Sequence, residues 1–182
     1  NLGALYEDGS EMVGESEIPN ESKGIRGVYL EPSSVQITER AKEALLAADY
    51  ILVGPGSLYT SILPNLLVKG MVDSIKKSEA KKIFITNVMT QPGETTGYSA
   101  YDHIKAVYEH IGDKIFDYII INKNGSKKEL LDKYADEGAY PVENDIDNLR
   151  KLNIEVVEGH LIQTSDYIRH DPHKLAEVLV EL

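Results

Sequence analysis

The sequence specifies an α/β domain built on a mainly parallel sheet with helices on both faces. Three observations lead there. Short apolar runs recur along the chain, Tyr50-Ile51-Leu52-Val53, Ile83-Phe84-Ile85 and Tyr118-Ile119-Ile120-Ile121. Continuous rather than alternating hydrophobicity marks strands covered on both faces. Segments with helical periodicity separate these runs, and that alternation produces parallel strands joined by right-handed crossovers.

Taken in order, Leu2–Tyr6 and Glu11–Gly14 flank Asp8-Gly9 and read as a hairpin. Gly24–Pro32 is a further strand ended by proline. Thr38 can cap a helix to Ala48, with Ala41, Ala44, Leu45 and Ala48 on one face. Tyr50–Gly54 then reads as a buried parallel strand, and Pro64 to about Lys77 as a helix. Lys82–Asn87 is the next buried strand. Ser99-x-x-Asp102 resembles a capping box opening a helix to about Ile111. Asp117–Asn122 is a third buried strand, with a turn and a helix from Lys127 to about Tyr134 behind it. Residues 141–152 read as loop and a short helix, and Ile154–Gly159 as a fourth strand. Asp171 and Pro172 open a closing amphipathic helix. No internal repeat or low-complexity tract interrupts this, so residues 1–182 read as a single domain.

With 182 residues the chain can bury a core without staples. It has no cysteine, which excludes disulfides and thiolate metal sites and points to a reducing compartment. Its net charge of −11 repels nucleic acid and acidic membranes, which need a cationic patch. The pairs Lys76-Lys77, Lys81-Lys82 and Lys127-Lys128 read as solvated rims. No apolar run approaches the ~20 residues of a membrane span. Nucleic acid and membrane are therefore not expected as partners. A second copy is a candidate, because a truncated sheet exposes an edge strand.

Strands of a parallel sheet all point one way, so the segments that follow them emerge along one rim, where ligands of open α/β sheets bind. Here these are Gly54-Pro55-Gly56-Ser57, Asn87 to Thr95, and Asn122 to Ser126, all rich in Gly, amide or hydroxyl groups. Gly54 and Gly56 would let backbone approach an anion, and the helix start behind them offers N–H groups. Ser57, Thr60 and Ser61 add hydroxyl donors. The pattern suits phosphate or pyrophosphate, but it is neither a dinucleotide fingerprint nor a P-loop.

Together, GPGSLYTSILPNLL (Gly54–Leu67) and NVMTQPGETTGYSAYDHI (Asn87–Ile104) resemble the gluconeogenesis factor family, within the wider CofD-like superfamily. LYEDGSEMVGESEI and RHDPHKLA are similar to further family segments. The resemblance implies a Rossmann-like fold and a cytoplasmic bacterial protein that binds nucleotide-linked sugars such as UDP-N-acetylglucosamine. It also implies a role in cell shape and cell-wall precursor supply during gluconeogenic growth. The CofD branch instead implies a magnesium-dependent 2-phospho-L-lactate transferase. Departures at Ser57-Leu58-Tyr59 and Met89–Thr95 favour the regulator. Family members begin with a Gly-rich nucleotide loop that this chain lacks, so the chain reads as the C-terminal part of a longer protein, truncated at its N-terminus. Carried over residue by residue, the resemblance puts Gly54, Gly56, Ser57 and Thr60 beside the phosphates. Asn87, Thr90, Gln91 and Glu94 fall on the neighbouring loop.

Single residues leave alternatives open. Glu94, the one acid of the three loops, suits ribose hydroxyls, a magnesium ion accompanying a nucleotide, or a helix dipole. Asp102 reads as a cap, His103 as a local packing residue and His110 as a helix-dipole partner. Arg169, His170 and His173 surround a helix start, either as a capping cluster or in reach of an anion. Asn122 suits a base edge or the end of its own strand. No zinc spacing and no nucleophile–base–acid triad is visible. A nucleotide-sugar-binding regulator, a CofD-like transferase and an acidic interaction module are the functions these residues allow.

Overall fold

The computed structural model describes residues 1–20, 23–123, 128–164 and 167–182. Its centre is a four-stranded parallel sheet, order β4-β5-β6-β7, formed by Tyr50–Val53, Lys81–Ile85, Tyr118–Asn122 and Glu155–Gly159. The α/β fold, with helices on both sheet faces, is as the sequence predicts. The apolar runs are explained by the two faces. Phe84, Ile119 and Ile121 point to one side, against α3 (Met71–Lys77), α4 (Ala100–Ile111) and α6 (Ile146–Arg150). Ile83, Ile85 and Ile120 point to the other, under Leu175, Val178 and Leu179 of α7 (Pro172–Val180).

The N-terminal segment forms a separate antiparallel sheet, order β2-β1-β3, from Leu2–Tyr6, Glu11–Val13 and Ile25–Leu30. Its inner residues Leu2, Ala4, Tyr6, Ile25 and Val28 join the larger core. The Tyr6 hydroxyl donates to the Ile18 carbonyl at 2.9 Å, anchoring a short 3₁₀ turn, Ile18–Asn20. His110 ties this sheet to α4. Its Nδ1 bonds the Ala106 carbonyl at 2.7 Å, and its Nε2 accepts from the Val28 N–H at 3.2 Å. That pattern requires a neutral ring, so His110 acts as a cross-link between elements rather than as a charged helix-dipole partner.

Capping chemistry sets several helix starts. Thr38 accepts from the Ala41 N–H to open α1 (Glu39–Leu46). Ser99 and Asp102 form a complete capping box on α4. Asp171 accepts from the His173 and Lys174 N–H groups at the start of α7.

Three local expectations are corrected. The helix expected from Pro64 to Lys77 is two helices. The first opens earlier, as a π-helical turn over Leu58–Ile62 that continues into α2 (Leu63–Leu66). The chain then breaks, because Lys69 is drawn into bridge pairing beside Gln36 and Gly70 takes φ 87° before α3. Second, β4 is parallel but lies at the sheet edge, and the α7 layer does not cover it. Tyr50 and Leu52 are 42% and 45% exposed. Third, a hairpin the sequence did not announce, β8 (Ile162–Thr164) with β9 (Ile168–His170), precedes α7. The helix expected from Lys127 is α5, Lys128–Asp136. Asn124, Gly125 and Ser126 of the expected third loop lie outside the described residues.

Candidate functional site

The segments after β4 and β5 do meet, and a ladder of side-chain bonds joins them. Gly56 N–H donates to Asn87 Oδ1 at 3.1 Å, and Asn87 Nδ2 returns a bond to the Gly56 carbonyl at 2.9 Å. One step on, Gln91 Nε2 donates to Ser57 Oγ at 2.8 Å. Deeper still, the Glu94 carboxylate accepts from the Tyr59 N–H at 3.0 Å and the Thr60 hydroxyl at 2.8 Å. The local sequence explains this path. Gly54 has φ 92°, and a Cβ there would stand 2.5 Å from the Ile85 carbonyl oxygen, so the chain leaving β4 can press against β5 only as glycine.

Glu94 is 7% exposed. Its charge sits at the N-terminus of the 58–66 helix, where unpaired N–H groups and the helix dipole favour an anion. Each of its oxygens accepts one bond within the fold. Among the described residues no group of three or more His, Cys, Asp or Glu side chains could hold a metal. Thr90 is also committed: its N–H donates to the Tyr140 carbonyl at 2.7 Å, and its hydroxyl accepts from the Tyr140 N–H at 2.9 Å.

Beside the ladder opens a cleft of about 480 Å³, lined by Gly56, Ser57, Asn87 and Gln91 and also by Arg169 and His170 of β9. Of the eight residues singled out in the sequence, these first four line the cleft directly. Gly54 shapes the turn below it, and Thr60, Thr90 and Glu94 line an adjoining cavity. The described end of the third loop does not reach the cleft. Asn122 is spent finishing its strand: its Oδ1 accepts from the Leu161 N–H at 2.8 Å, and its carbonyl accepts from Asn144 Nδ2 at 3.0 Å.

β9 brings a cationic residue, Arg169, to the lining of the cleft. The Arg169 guanidinium lies over the Tyr167 ring, 5.1 Å from its centroid. His170 is largely enclosed. Burial pushes its pKa down, partly offset by a backbone bond at Thr86, so the ring is held neutral. The sequence left Arg169 and His170 either as part of a capping cluster on α7 or in reach of an anion. Asp171 does the capping alone, and the two-residue period of Ile168-Arg169-His170, with Ile168 buried, is the signal of a strand that presents Arg169.

The fold is thus a parallel α/β sheet whose strand-end loops are joined by an amide-and-hydroxyl ladder, with Arg169 lining the cleft beside it. The chain belongs to the CofD family, whose model, described as 2-phospho-L-lactate transferase CofD, matches residues 1–162. The chain is 44% identical over its whole length to the gluconeogenesis factor of Bacillus subtilis (strain 168), and 42% identical over 99% of its length to that of Halalkalibacterium halodurans. A crystal structure of a member of the UPF0052 family from Bacillus halodurans superposes with a TM-score of 0.95 at 41% identity. The match covers 98% of this chain and 58% of that one. The chain thus spans little more than half the length of these relatives, 57% and 56% of the two gluconeogenesis factors.

Proposed function

We propose that this domain is the phosphate-gripping part of a cytoplasmic nucleotide-sugar-binding regulator of the gluconeogenesis factor type, serving cell shape and cell-wall precursor supply. The observation that carries the reading is the cleft lined by Gly56, Ser57, Asn87, Gln91 and Arg169, where the Gly56–Asn87 pair fixes the rim and the Ser57 hydroxyl, which only accepts from Gln91, keeps its proton to donate. Neutral donors and one cation suit a diphosphate that also carries groups to be recognised elsewhere. Three or four charge-assisted bonds at about 1.5–3 kcal/mol each exceed an association cost of about 4 kcal/mol or more only modestly. The phosphates therefore anchor, and the base and sugar must add affinity. Relatives similar over the whole chain that bear the name gluconeogenesis factor lend support.

Calorimetric titration of the full-length protein with UDP-N-acetylglucosamine, GDP and a non-nucleotide control tests this. Saturable binding of the UDP-sugar is expected, weakened by Ser57→Glu through charge repulsion; absence of heat with any nucleotide overturns it. The second reading, a CofD-like transferase, is favoured by the family model's description. Detecting phospholactate transfer would promote it.

A further inference from the structure

Ser57, Met89 and Gln91 form a wall with two sides. On one lies the cleft with Arg169; on the other lies a second cavity, of about 500 Å³. The two chambers differ in chemistry. The second holds no Lys or Arg among its lining residues, and Glu15 and Glu137 stand at its exposed rim. Neither of these glutamates joins an ion pair among the described residues.

Its interior is built from hydroxyl and apolar surface around the buried Glu94 carboxylate. The Thr60 hydroxyl gives its proton to Glu94, which leaves an oxygen that accepts. The Ser57 oxygen accepts from Gln91, which leaves a proton that can be donated. Pro19, Pro92 and Ala139 add an apolar surface, and Tyr134 adds a ring. Acceptors and donors set around a small apolar patch match a ring that carries hydroxyls at its edge and C–H bonds on its face.

We infer that this second cavity is the subsite for an uncharged polyhydroxylated group attached to the anion held in the first cleft, and that Glu15 and Glu137 select against an acidic one. This rests on the nucleotide-sugar reading and deepens it. Carboxylates at the rim accept hydroxyl protons from a neutral sugar. A sugar that itself carries a carboxylate brings like charges together in a partly enclosed space, which opposes binding. The wall sets the geometry, since Ser57 and Gln91 touch both chambers and a ligand bridging them must pass over that bonded pair.

Titration of the full-length protein with UDP, UDP-glucose and UDP-glucuronate gives the test. UDP-glucose is expected to bind more tightly than UDP, and UDP-glucuronate at least about tenfold more weakly than UDP-glucose. The double variant Glu15→Gln with Glu137→Gln is expected to narrow that gap, and circular dichroism reports whether it keeps its fold. Equal affinities for all three ligands, or a gap unchanged in a folded double variant, overturn the subsite while leaving nucleotide binding in place. If UDP itself does not bind, the nucleotide-sugar reading fails and the subsite falls with it.

Discussion

Asn87 holds Gly56 by both ends of its peptide environment, accepting from the Gly56 N–H at 3.1 Å and donating to the Gly56 carbonyl at 2.9 Å. A primary amide is the one uncharged side-chain group that can do both from one plane. The pair locks the loop after β4 to the loop after β5. Asn87→Asp keeps the shape but replaces the donor with a second acceptor facing a carbonyl. A loss of about 1–3 kcal/mol is expected, together with weaker binding of any anion in the cleft. Urea unfolding and ligand titration of the same variant check both, and an unchanged midpoint would show that the lock is dispensable.

Glu94 does for the helix what Asn87 does for the loop. Glu94→Ala removes the acceptor of the Tyr59 N–H and the Thr60 hydroxyl inside the fold, and about 2–4 kcal/mol of stability should go with it. Glu94→Gln restores one acceptor and should recover part of that loss. Equal stability of all three proteins would remove the capping role.

Two glycines in one turn should respond differently. Gly54→Ala must be accommodated at φ 92° with its Cβ 2.5 Å from the Ile85 carbonyl oxygen, and about 2–4 kcal/mol of destabilisation is expected. At Gly56 a Cβ would meet Ser61 Cβ at an ordinary 3.6 Å, and Ala should change stability by less than about 1 kcal/mol. Thermal unfolding of both variants decides the matter; similar losses would contradict the geometry.

His103 supplies a pH dependence. It is 1% exposed, its Nδ1 bonds the Ser99 carbonyl at 2.8 Å, and its Nε2 has no partner among the described residues. Desolvation holds its pKa below the ordinary imidazole value, against weaker opposing effects from Ser99 and Asp102. The unfolded chain, with a pKa near ~6.5, then binds more protons than the folded one at mildly acidic pH. Stability from the neutral ring is complete above ~pH 6.5 and is lost as pH falls below it. His103→Asn should flatten that slope in urea midpoints taken from about pH 8 to pH 5; an identical slope would place the titration elsewhere.

The edge of β4 leads to a different expectation. Leu52 and Tyr50 are exposed on a strand that pairs on one side only among the described residues. A chain of this extent should self-associate with rising concentration through that edge, and Leu52→Lys should suppress it. Sedimentation velocity reads this directly, and a wild-type chain that stays monomeric throughout would refute it.

Much of this was legible without coordinates. Apolar runs located the four parallel strands, although burial on both faces accounts for the runs only in β5 and β6. Ser99-x-x-Asp102 and Asp171-Pro172 announced their helix starts because capping is decided within four residues. The two loops after β4 and β5 were identified because parallel strands must release their chains on the same rim. Local chemistry of this kind needs no knowledge of what lies across the molecule.

Commitment was not legible. That Glu94 and Thr60 satisfy each other, that Asn122 is spent on Leu161, and that Arg169 enters the cleft are all long-range pairings. The same residue types can face a ligand or a neighbour, and only the packed chain chooses between them. The exposed face of Leu52 is of the same kind: its apolar run is indistinguishable from that of a central strand until the strand order is known. The sequence by itself determined the four parallel strands, the caps of α1, α4 and α7 and the rim on which the cleft opens, since these follow from spacing and side-chain type. The tertiary structure alone decided which polar groups stay free for a ligand, because a hydrogen bond made across dozens of residues leaves no periodic trace in the chain that makes it.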